Sequence, residues 1–146
     1  MLGNIPGRGG IIFVASIAGY NSMPYMANYI ATKSYLISFG EALYHEFKKE
    51  GVDVLVLSPG LTDTDPDNTH EPIVGIQERN LTTKDRGMAV TPVVTEALEN
   101  LSRKISVVPG MQYKTMAFIF KHFLTRARVS NLFGSMGIKE ISQEML

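Results

Sequence analysis

The sequence contains no cysteine and no tryptophan, and its formal net charge is zero. Without cysteine the chain can form neither a disulfide nor a thiolate metal site, which is typical of a reducing compartment such as the cytoplasm. Lys and Arg number 14 and Asp and Glu number 14, so no excess of one charge attracts a nucleic acid. We therefore expect a cytoplasmic chain that does not bind nucleic acid.

Long hydrophobic runs are also missing. The apolar runs are far too short to span a bilayer, and the N-terminus lacks the basic region, apolar core and cleavage site of a signal peptide. At 146 residues and 45% hydrophobic content, the chain is long enough to form one core. The sequence predicts a single domain, or part of one, over residues 1–146.

Metal-binding patterns are weak. The acids Asp63, Asp65 and Asp67 alternate as they do in a calcium loop, but that loop needs glycine at its sixth position and glutamate at its twelfth. Asn68 and Val74 stand at those positions. The three histidines are isolated from one another and from carboxylates at ligand spacing. We predict no metal site.

The pattern that is present alternates strands with helices. Short apolar runs predict three strands and the segments between them predict two helices: strands over 11–15, 52–57 and 105–108, and helices over about 24–49 and 91–104. Such alternation predicts an α/β fold with three parallel strands and flanking helices. Residues 111–146 predict an amphipathic extension, which is more often core or interface than a peripheral membrane contact.

Local signals place the ends of these elements. Pro24 is expected in the first turn of the first helix, while Thr91 and Pro92 are expected as the cap and first residue of the second. Gly9 and Gly10 precede the first apolar run, so we expect them to form a turn that leads into the first strand.

Three side chains form the most informative pattern. Tyr29 and Lys33 are four residues apart and would share one face of the first helix, and Ser16 comes directly after the first apolar run. Free tyrosine is a poor base at neutral pH, because its pKa is about 10, but a nearby cation favours the phenolate. Ligands of open parallel sheets collect outside the carboxyl ends of the strands, where Ser16 is expected. The pattern predicts proton transfer to or from a carbonyl or alcohol.

The chain resembles the short-chain dehydrogenase/reductase family. The matching residues are the segment 12–19, then Tyr29, Lys33 and Ser34, and finally Pro59 and Gly60 with Thr62 and Thr64. The resemblance covers nearly the whole chain but only the second half of the family's fold. It implies the C-terminal part of a Rossmann-like, doubly wound parallel sheet.

The resemblance also implies roles for these residues. Ser16 would orient the substrate carbonyl, Tyr29 would be the general acid/base, and Lys33 would favour the phenolate and hold the ribose of a nicotinamide cofactor. The Pro59–Gly60 turn would pass under the nicotinamide, and the threonines would contact its carboxamide or the pyrophosphate. The cofactor is expected to be NAD or NADP, with NADP slightly favoured.

Three further residues are candidates for contact with the substrate, which is expected to be a small, apolar or lipid-like carbonyl or alcohol. Tyr20 and Asn21 lie where the family has a substrate-facing loop, although ordinary loop roles explain them as well. Tyr25 lies one turn before Tyr29 but has no lysine four residues on, so packing is the more usual role for its ring.

The family's glycine-rich turn, of the type Thr-Gly-x-x-x-Gly-x-Gly, is absent from the sequence. That turn receives the cofactor pyrophosphate. We therefore expect a truncated oxidoreductase chain that is inactive alone; the alternative is a catalytically silent remnant that acts only through subunit pairing. The resemblance implies a homo-oligomer formed through the 24–49 helix. Extended relatives such as sugar-nucleotide epimerases share the triplet, but the Pro59-Gly60-x-Thr62-x-Thr64 pattern favours simple dehydrogenases.

Overall fold

The computed structural model describes residues 9–63 and 87–144, with side chains described as far as residue 135. These ranges contain five strands, one 3-10 helix (Ile17–Tyr20) and four α-helices. In chain order the strands and α-helices are β1 Gly9–Val14, α1 Ala27–Lys48, β2 Val52–Leu57, β3 Thr62–Asp63, β4 Met88–Ala89, α2 Val90–Asn100, β5 Ser106–Val107, α3 Met111–His122 and α4 Arg126–Glu144.

The main sheet contains three parallel strands in the order β1-β2-β5. Along β1 and β2 the register runs from Gly9 opposite Val52 to Val14 opposite Leu57. The expectation of three parallel strands with flanking helices is confirmed. The first strand begins two residues earlier than predicted, because Gly9 and Gly10 pair with β2 and do not form a separate turn.

Helices cover both faces of the sheet, as in a Rossmann-like fold. On one face, α2 contributes Val93 and Ala97 to a core with Leu55, Leu57 and Val107. On the other face, α1 packs against β2, and the buried residues there are Ala15, Ile37 and Val56. Because successive residues of a strand point to opposite faces, Val56 supplies one core and its neighbours the other.

The first helix is shorter than the predicted 24–49. It begins at Ala27, and Pro24 lies in the preceding turn and not in the helix. The physical reason is Tyr25, whose φ of 67° is left-handed and cannot continue a right-handed helix. At the other end, Gly51 has a φ of 73°, as expected for a glycine just past a helix.

The second helix also differs from its prediction of 91–104. Its cap is Ala89, with extended backbone and no side-chain bond, so Thr91 and Pro92 lie inside the first turn. The predicted cap was wrong because Ala89 is held in extended form by pairing of β4 with β3. Proline remains tolerable there, since amides of the first turn have no partner within a helix.

The C-terminal extension forms two helices. The helical conformation is interrupted between α3 and α4, near Thr125. The Oγ1 of Thr125 accepts a hydrogen bond from the Arg128 amide at 3.3 Å. A threonine that bonds the amide three residues on is a usual start for a helix. Within the described ranges, none of the helices combines the length and apolar character needed to cross a membrane.

β1 lies at one edge of the three-stranded sheet. Side chains near this edge are unusually exposed for apolar residues: 36% for Ile11 and 53% for Val14 on the strand, and 61% for Tyr35 and 39% for Phe39 on α1. Tyr35 stacks on Phe39, which in turn contacts the edge of the Phe13 ring. The described part of the chain therefore buries α1 on one side only, whereas its apolar pattern suits burial on two.

Candidate active site

The carboxyl ends of β1 and β2 lie side by side and continue beyond the formal strands. The Ala15 amide donates to the Leu57 carbonyl at 2.7 Å, and the Ile17 amide donates to the Pro59 carbonyl at 3.0 Å. This pairing brings the residues after each strand to the same edge of the sheet. Ser16 and the Pro59–Gly60 turn, far apart in sequence, are neighbours for this reason.

Ser16 begins the 3-10 helix that follows β1. Its Oγ accepts a hydrogen bond from the Ala18 amide at 3.2 Å, and the residue is 8% exposed. A hydroxyl that accepts one bond still has its own O–H to donate. Ser16 is therefore held in place through an acceptor position while its donor can serve a substrate oxygen.

Tyr29 and Lys33 lie one turn apart on α1, as the spacing predicts. The Lys33 Nζ is 5.7 Å from the centre of the Tyr29 ring, and the tyrosine is 42% exposed. This separation lies within the range of a cation–π contact. The two side chains thus share one space that is open to a ligand.

Lys33 also contacts the end of β1, which the sequence did not predict. Its Nζ donates to the Val14 carbonyl at 3.0 Å. Because the Ala15 amide points to β2, and the carbonyl before a trans amide points the opposite way, the Val14 carbonyl faces away from β2. Lys33 therefore binds an acceptor on the open side of the edge strand, close in sequence to Ser16.

The 3-10 helix lies tightly against α1. A Cβ built on Gly19 would lie 2.9 Å from the Lys33 carbonyl carbon and 3.0 Å from the Ser34 nitrogen, so only glycine permits this approach. The Ser34 hydroxyl donates to the Gly19 carbonyl at 2.6 Å. These contacts join the element that begins at Ser16 to the element that carries Tyr29 and Lys33.

The three candidate substrate residues occupy different environments. Tyr20 packs against one core, and its hydroxyl lies 3.4 Å from the Oγ of Ser58. Asn21 is buried at 4% exposure, whereas Tyr25 is 68% exposed. Contact of these residues with a substrate stays a prediction.

The turn after β2 packs against α3. A Cβ on Gly60 would lie 2.3 Å from the Tyr113 ring, and the Tyr113 hydroxyl donates to the Leu61 carbonyl at 3.4 Å. Thr62 donates to the Gly60 carbonyl at 3.1 Å, and Thr64 lies outside the described residues. The glycine of the expected cofactor turn thus receives the face of an aromatic ring.

Tyr113 and Ser58 were not among the residues predicted for the site. Ser58 is fully buried at the end of β2 and lies beside the Tyr20 hydroxyl. Its position directly before Pro59 is the only sequence signal that could have indicated it. Tyr113 has no local signal, because its contact with Gly60 joins segments more than fifty residues apart.

A cavity of about 210 Å³ lies beside the 3-10 helix. Its lining includes Tyr20 from that helix, Ser106 and Val108 at β5, and Phe118 of α3. Ligand sites usually enclose about 300–1,000 Å³. This cavity is therefore too small to hold a whole dinucleotide or steroid.

The chain has a parallel sheet with helices on both faces, which is a Rossmann-like fold. It also has a serine directly after one strand and a Tyr-x-x-x-Lys pair on the helix that follows, the pattern of residues found in dehydrogenases of this fold. Comparison with known proteins agrees. The family model described as short chain dehydrogenase matches residues 3–72. This chain belongs to the short-chain dehydrogenase/reductase family.

Several bacterial relatives of similar sequence are named 7β-hydroxysteroid dehydrogenases. A 7β-hydroxysteroid dehydrogenase from Mediterraneibacter gnavus is 34% identical over 116 residues, which cover 78% of this chain and 42% of that protein. Another, from Clostridium sardiniense, is 29% identical over 105 residues, covering 70% of this chain and 37% of that protein. The chain thus spans about two fifths of the length of these relatives.

Solved structures agree on the fold. One from a study of 7β-hydroxysteroid dehydrogenase stereoselectivity matches with a TM-score of 0.71 at 28% identity, covering 88% of this chain and 47% of that chain. A short chain dehydrogenase from Burkholderia cenocepacia J2315, in complex with NADP, matches with a TM-score of 0.57 at 24% identity, covering 80% and 44%. The second likeness concerns the fold alone.

Proposed function

We propose that this chain supplies the proton-transfer half of a nicotinamide-dependent oxidoreductase, which moves hydride between the cofactor and a carbonyl or alcohol. The observation that carries the proposal is Tyr29 and Lys33 on one face of α1, with the Lys33 ammonium reaching the end of β1 two residues before Ser16. These are the groups that such a reaction needs at one place.

In this mechanism the Ser16 hydroxyl donates to the substrate oxygen, and Tyr29 gives or takes its proton as hydride moves to or from the adjacent carbon. The Lys33 ammonium lies beside the Tyr29 ring and would be free to bind the ribose hydroxyls of the cofactor once it leaves the Val14 carbonyl. When bound, the nicotinamide cofactor would supply the hydride for carbonyl reduction or accept it in alcohol oxidation. Gly60 and Thr62 would line its site, and NAD and NADP both remain open.

We infer an apolar or lipid-like substrate. The relatives named as 7β-hydroxysteroid dehydrogenases support this inference, since a steroid is a largely apolar molecule that carries an alcohol or carbonyl. The chain's location is proposed to be the cytoplasm, on the basis of its lack of cysteine.

The first test measures cofactor binding by the chain itself. Titration of the purified chain with NADPH and with NADH is expected to give no binding at micromolar concentration, because the sequence has no glycine-rich turn for the pyrophosphate. Micromolar binding would contradict the alternative that the chain is a silent remnant acting only through pairing.

The second test restores the missing part. The segment of the M. gnavus relative that precedes the matched region is joined to this chain, NADP⁺ is supplied as the oxidant, and oxidation of a 7β-hydroxysteroid is followed by the absorbance of the NADPH that forms. Tyr29→Phe is expected to lower the rate by about 10²–10⁴-fold, since it removes the acid/base group. Tyr44→Phe is the control and should retain the rate, because Tyr44 lies near the other end of α1. A folded chimera whose rate does not depend on Tyr29 would refute the proposed chemistry.

Pairing of subunits through α1 is also proposed. The exposed, stacked rings of Tyr35 and Phe39 support it, because a monomer rarely leaves such a pair uncovered.

A further inference from the structure

One hydrogen bond joins the two elements that carry the proposed site. The Ser34 hydroxyl donates to the Gly19 carbonyl at 2.6 Å in a partly buried position, across fifteen residues of sequence. Ser34 directly follows Lys33 on α1, and Gly19 belongs to the 3-10 helix that begins after Ser16. The bond therefore connects the 3-10 helix that follows Ser16 to the helix α1 that carries Tyr29 and Lys33.

Each of these elements is rigid by itself. In the 3-10 helix the Gly19 amide donates to the Ser16 carbonyl at 3.0 Å, and the Asn21 amide donates to the Ala18 carbonyl at 3.1 Å. On the other side, α1 is a continuous helix of 22 residues. The relative placement of Ser16 and Tyr29 is therefore decided by the contacts between the two elements.

Gly19 and Ser34 fix different degrees of freedom. The absence of a side chain at Gly19 lets the helix backbone at Lys33 approach to a distance that a Cβ would forbid, which sets the separation. Separation alone does not fix the rotation of α1 about its axis, which the packing of Ile37 against Val56 also restrains. The end of a long side chain such as that of Tyr29 lies far from the helix axis. A small rotation of α1 therefore moves the Tyr29 hydroxyl considerably. The directional Ser34 bond opposes this rotation.

We propose that Ser34 is a positioning residue for the Ser16–Tyr29–Lys33 site: its bond to the Gly19 carbonyl sets the rotation of α1 relative to Ser16. It acts through Tyr29 and Lys33 and does not touch the substrate. The proposal rests on the proposed function, because only that function gives meaning to the relative placement of the three side chains.

The test uses the full chain, labelled with ¹³C in its tyrosine rings, and compares five variants by NMR. Tyr29→Phe assigns the Tyr29 signal. Ser34→Ala removes the bond, Ser34→Cys weakens it at nearly constant volume, and Ser34→Thr keeps the hydroxyl. Ser38→Ala is the matched control, because Ser38 is an exposed serine one turn further along α1. The Tyr29 ring signal is measured in the folded state. Its shift therefore reports displacement of the ring, whereas a general loss of stability changes only the population of the folded state.

Ser34→Ala and Ser34→Cys are expected to shift the Tyr29 ring signal and to speed hydrogen exchange of the Gly19 and Asn21 amides about five-fold, the factor that corresponds to one ordinary hydrogen bond. Ser34→Thr and Ser38→Ala should keep the wild-type signal and rates.

An unchanged Tyr29 signal in Ser34→Cys, or an equal shift in Ser38→Ala, would overturn the proposal. The cysteine variant keeps the test decisive if Ser34→Ala fails to fold. No cofactor is needed for this measurement, so it can succeed or fail independently of the hydride-transfer assay on the chimera.

Discussion

Tyr25 has the least favourable backbone conformation in the described part of the chain. It is the one non-glycine residue there with a positive φ, 67°, and its ring is 68% exposed. A bulky residue in this region is strained, and an exposed ring offers little packing in return. The left-handed backbone of Tyr25 prevents α1 from starting earlier, and the strain of this conformation lowers the stability of the folded chain.

Replacing Tyr25 by asparagine is expected to stabilise the chain. Asparagine tolerates the left-handed region, so Tyr25→Asn should raise the free energy of unfolding by up to about 1 kcal/mol. The control is Tyr35→Asn, which should lower stability because it removes the stack on Phe39 and places a poor helix former within α1. Urea denaturation measures both. A fall in the Tyr25→Asn midpoint as large as that of the control would contradict the strain argument.

At the scale of elements, two helix glycines lie in opposite environments. A Cβ on Gly40 in α1 would come 2.5 Å from Val56 and 2.9 Å from Phe13, whereas a Cβ on Gly134 in α4 would lie 3.5 Å from Pro24. The first glycine lets α1 reach the sheet. The second has room for a methyl group at ordinary contact distance.

Alanine at these positions is therefore expected to have opposite effects. Gly134→Ala should stabilise by about 0.5–1 kcal/mol through helix propensity. Gly40→Ala gains the same propensity but overpacks the core, which costs about 1–3 kcal/mol, so the net change should be destabilising. Thermal unfolding followed by circular dichroism checks the signs. Stabilisation by Gly40→Ala would show that α1 does not approach the sheet this closely.

The sequence predicted which elements exist better than where they end. Buried runs such as 52–57 identify strands because burial of both faces leaves a local signature, and Val52–Leu57 was correct at both ends. The start of α1 was missed because the conformation of Tyr25 has no local signal. The pairing of β3 with β4 and its effect on Ala89 depend on residues distant in sequence, which periodicity cannot register.

The same division holds for the site. The positions of Tyr29 and Lys33 on one helix face follow from their spacing alone. The bonds from Ser34 to Gly19 and from Lys33 to Val14, and the packing of Tyr113 on Gly60, arise only when separate elements meet. Sequence thus indicated the candidate groups for the site but not the contacts that hold them.

At the scale of the whole molecule, the open side of β1 is expected to drive self-association. Among the described residues no further strand pairs with the open side of β1, and Ile11 and Val14 add exposed apolar surface there. Ile11→Lys combined with Val14→Lys should reduce association, because lysine on an edge strand opposes pairing. Leu132→Lys, at 52% exposure on α4, is the control.

Sedimentation velocity over a range of concentrations measures the effect. The wild-type chain and the Leu132 variant should show concentration-dependent association, and the double variant should show clearly less, since only the surface proposed on α1 remains for pairing. A wild-type chain that stays monomeric at all concentrations would exclude β1 as an association surface.

The bond from Lys33 to the Val14 carbonyl has a consequence for the proposed activity. A strand that paired with β1 on its open side would lie about 4.8 Å away and would occupy the space that the ammonium now uses. The rate at which an amine-reactive acylating reagent modifies Lys33 should therefore be higher in the chimera than in this chain. Pairing of a further strand with β1 would displace the Lys33 ammonium from the Val14 carbonyl. The same step would therefore extend the sheet and make Lys33 available to the proposed site around Tyr29.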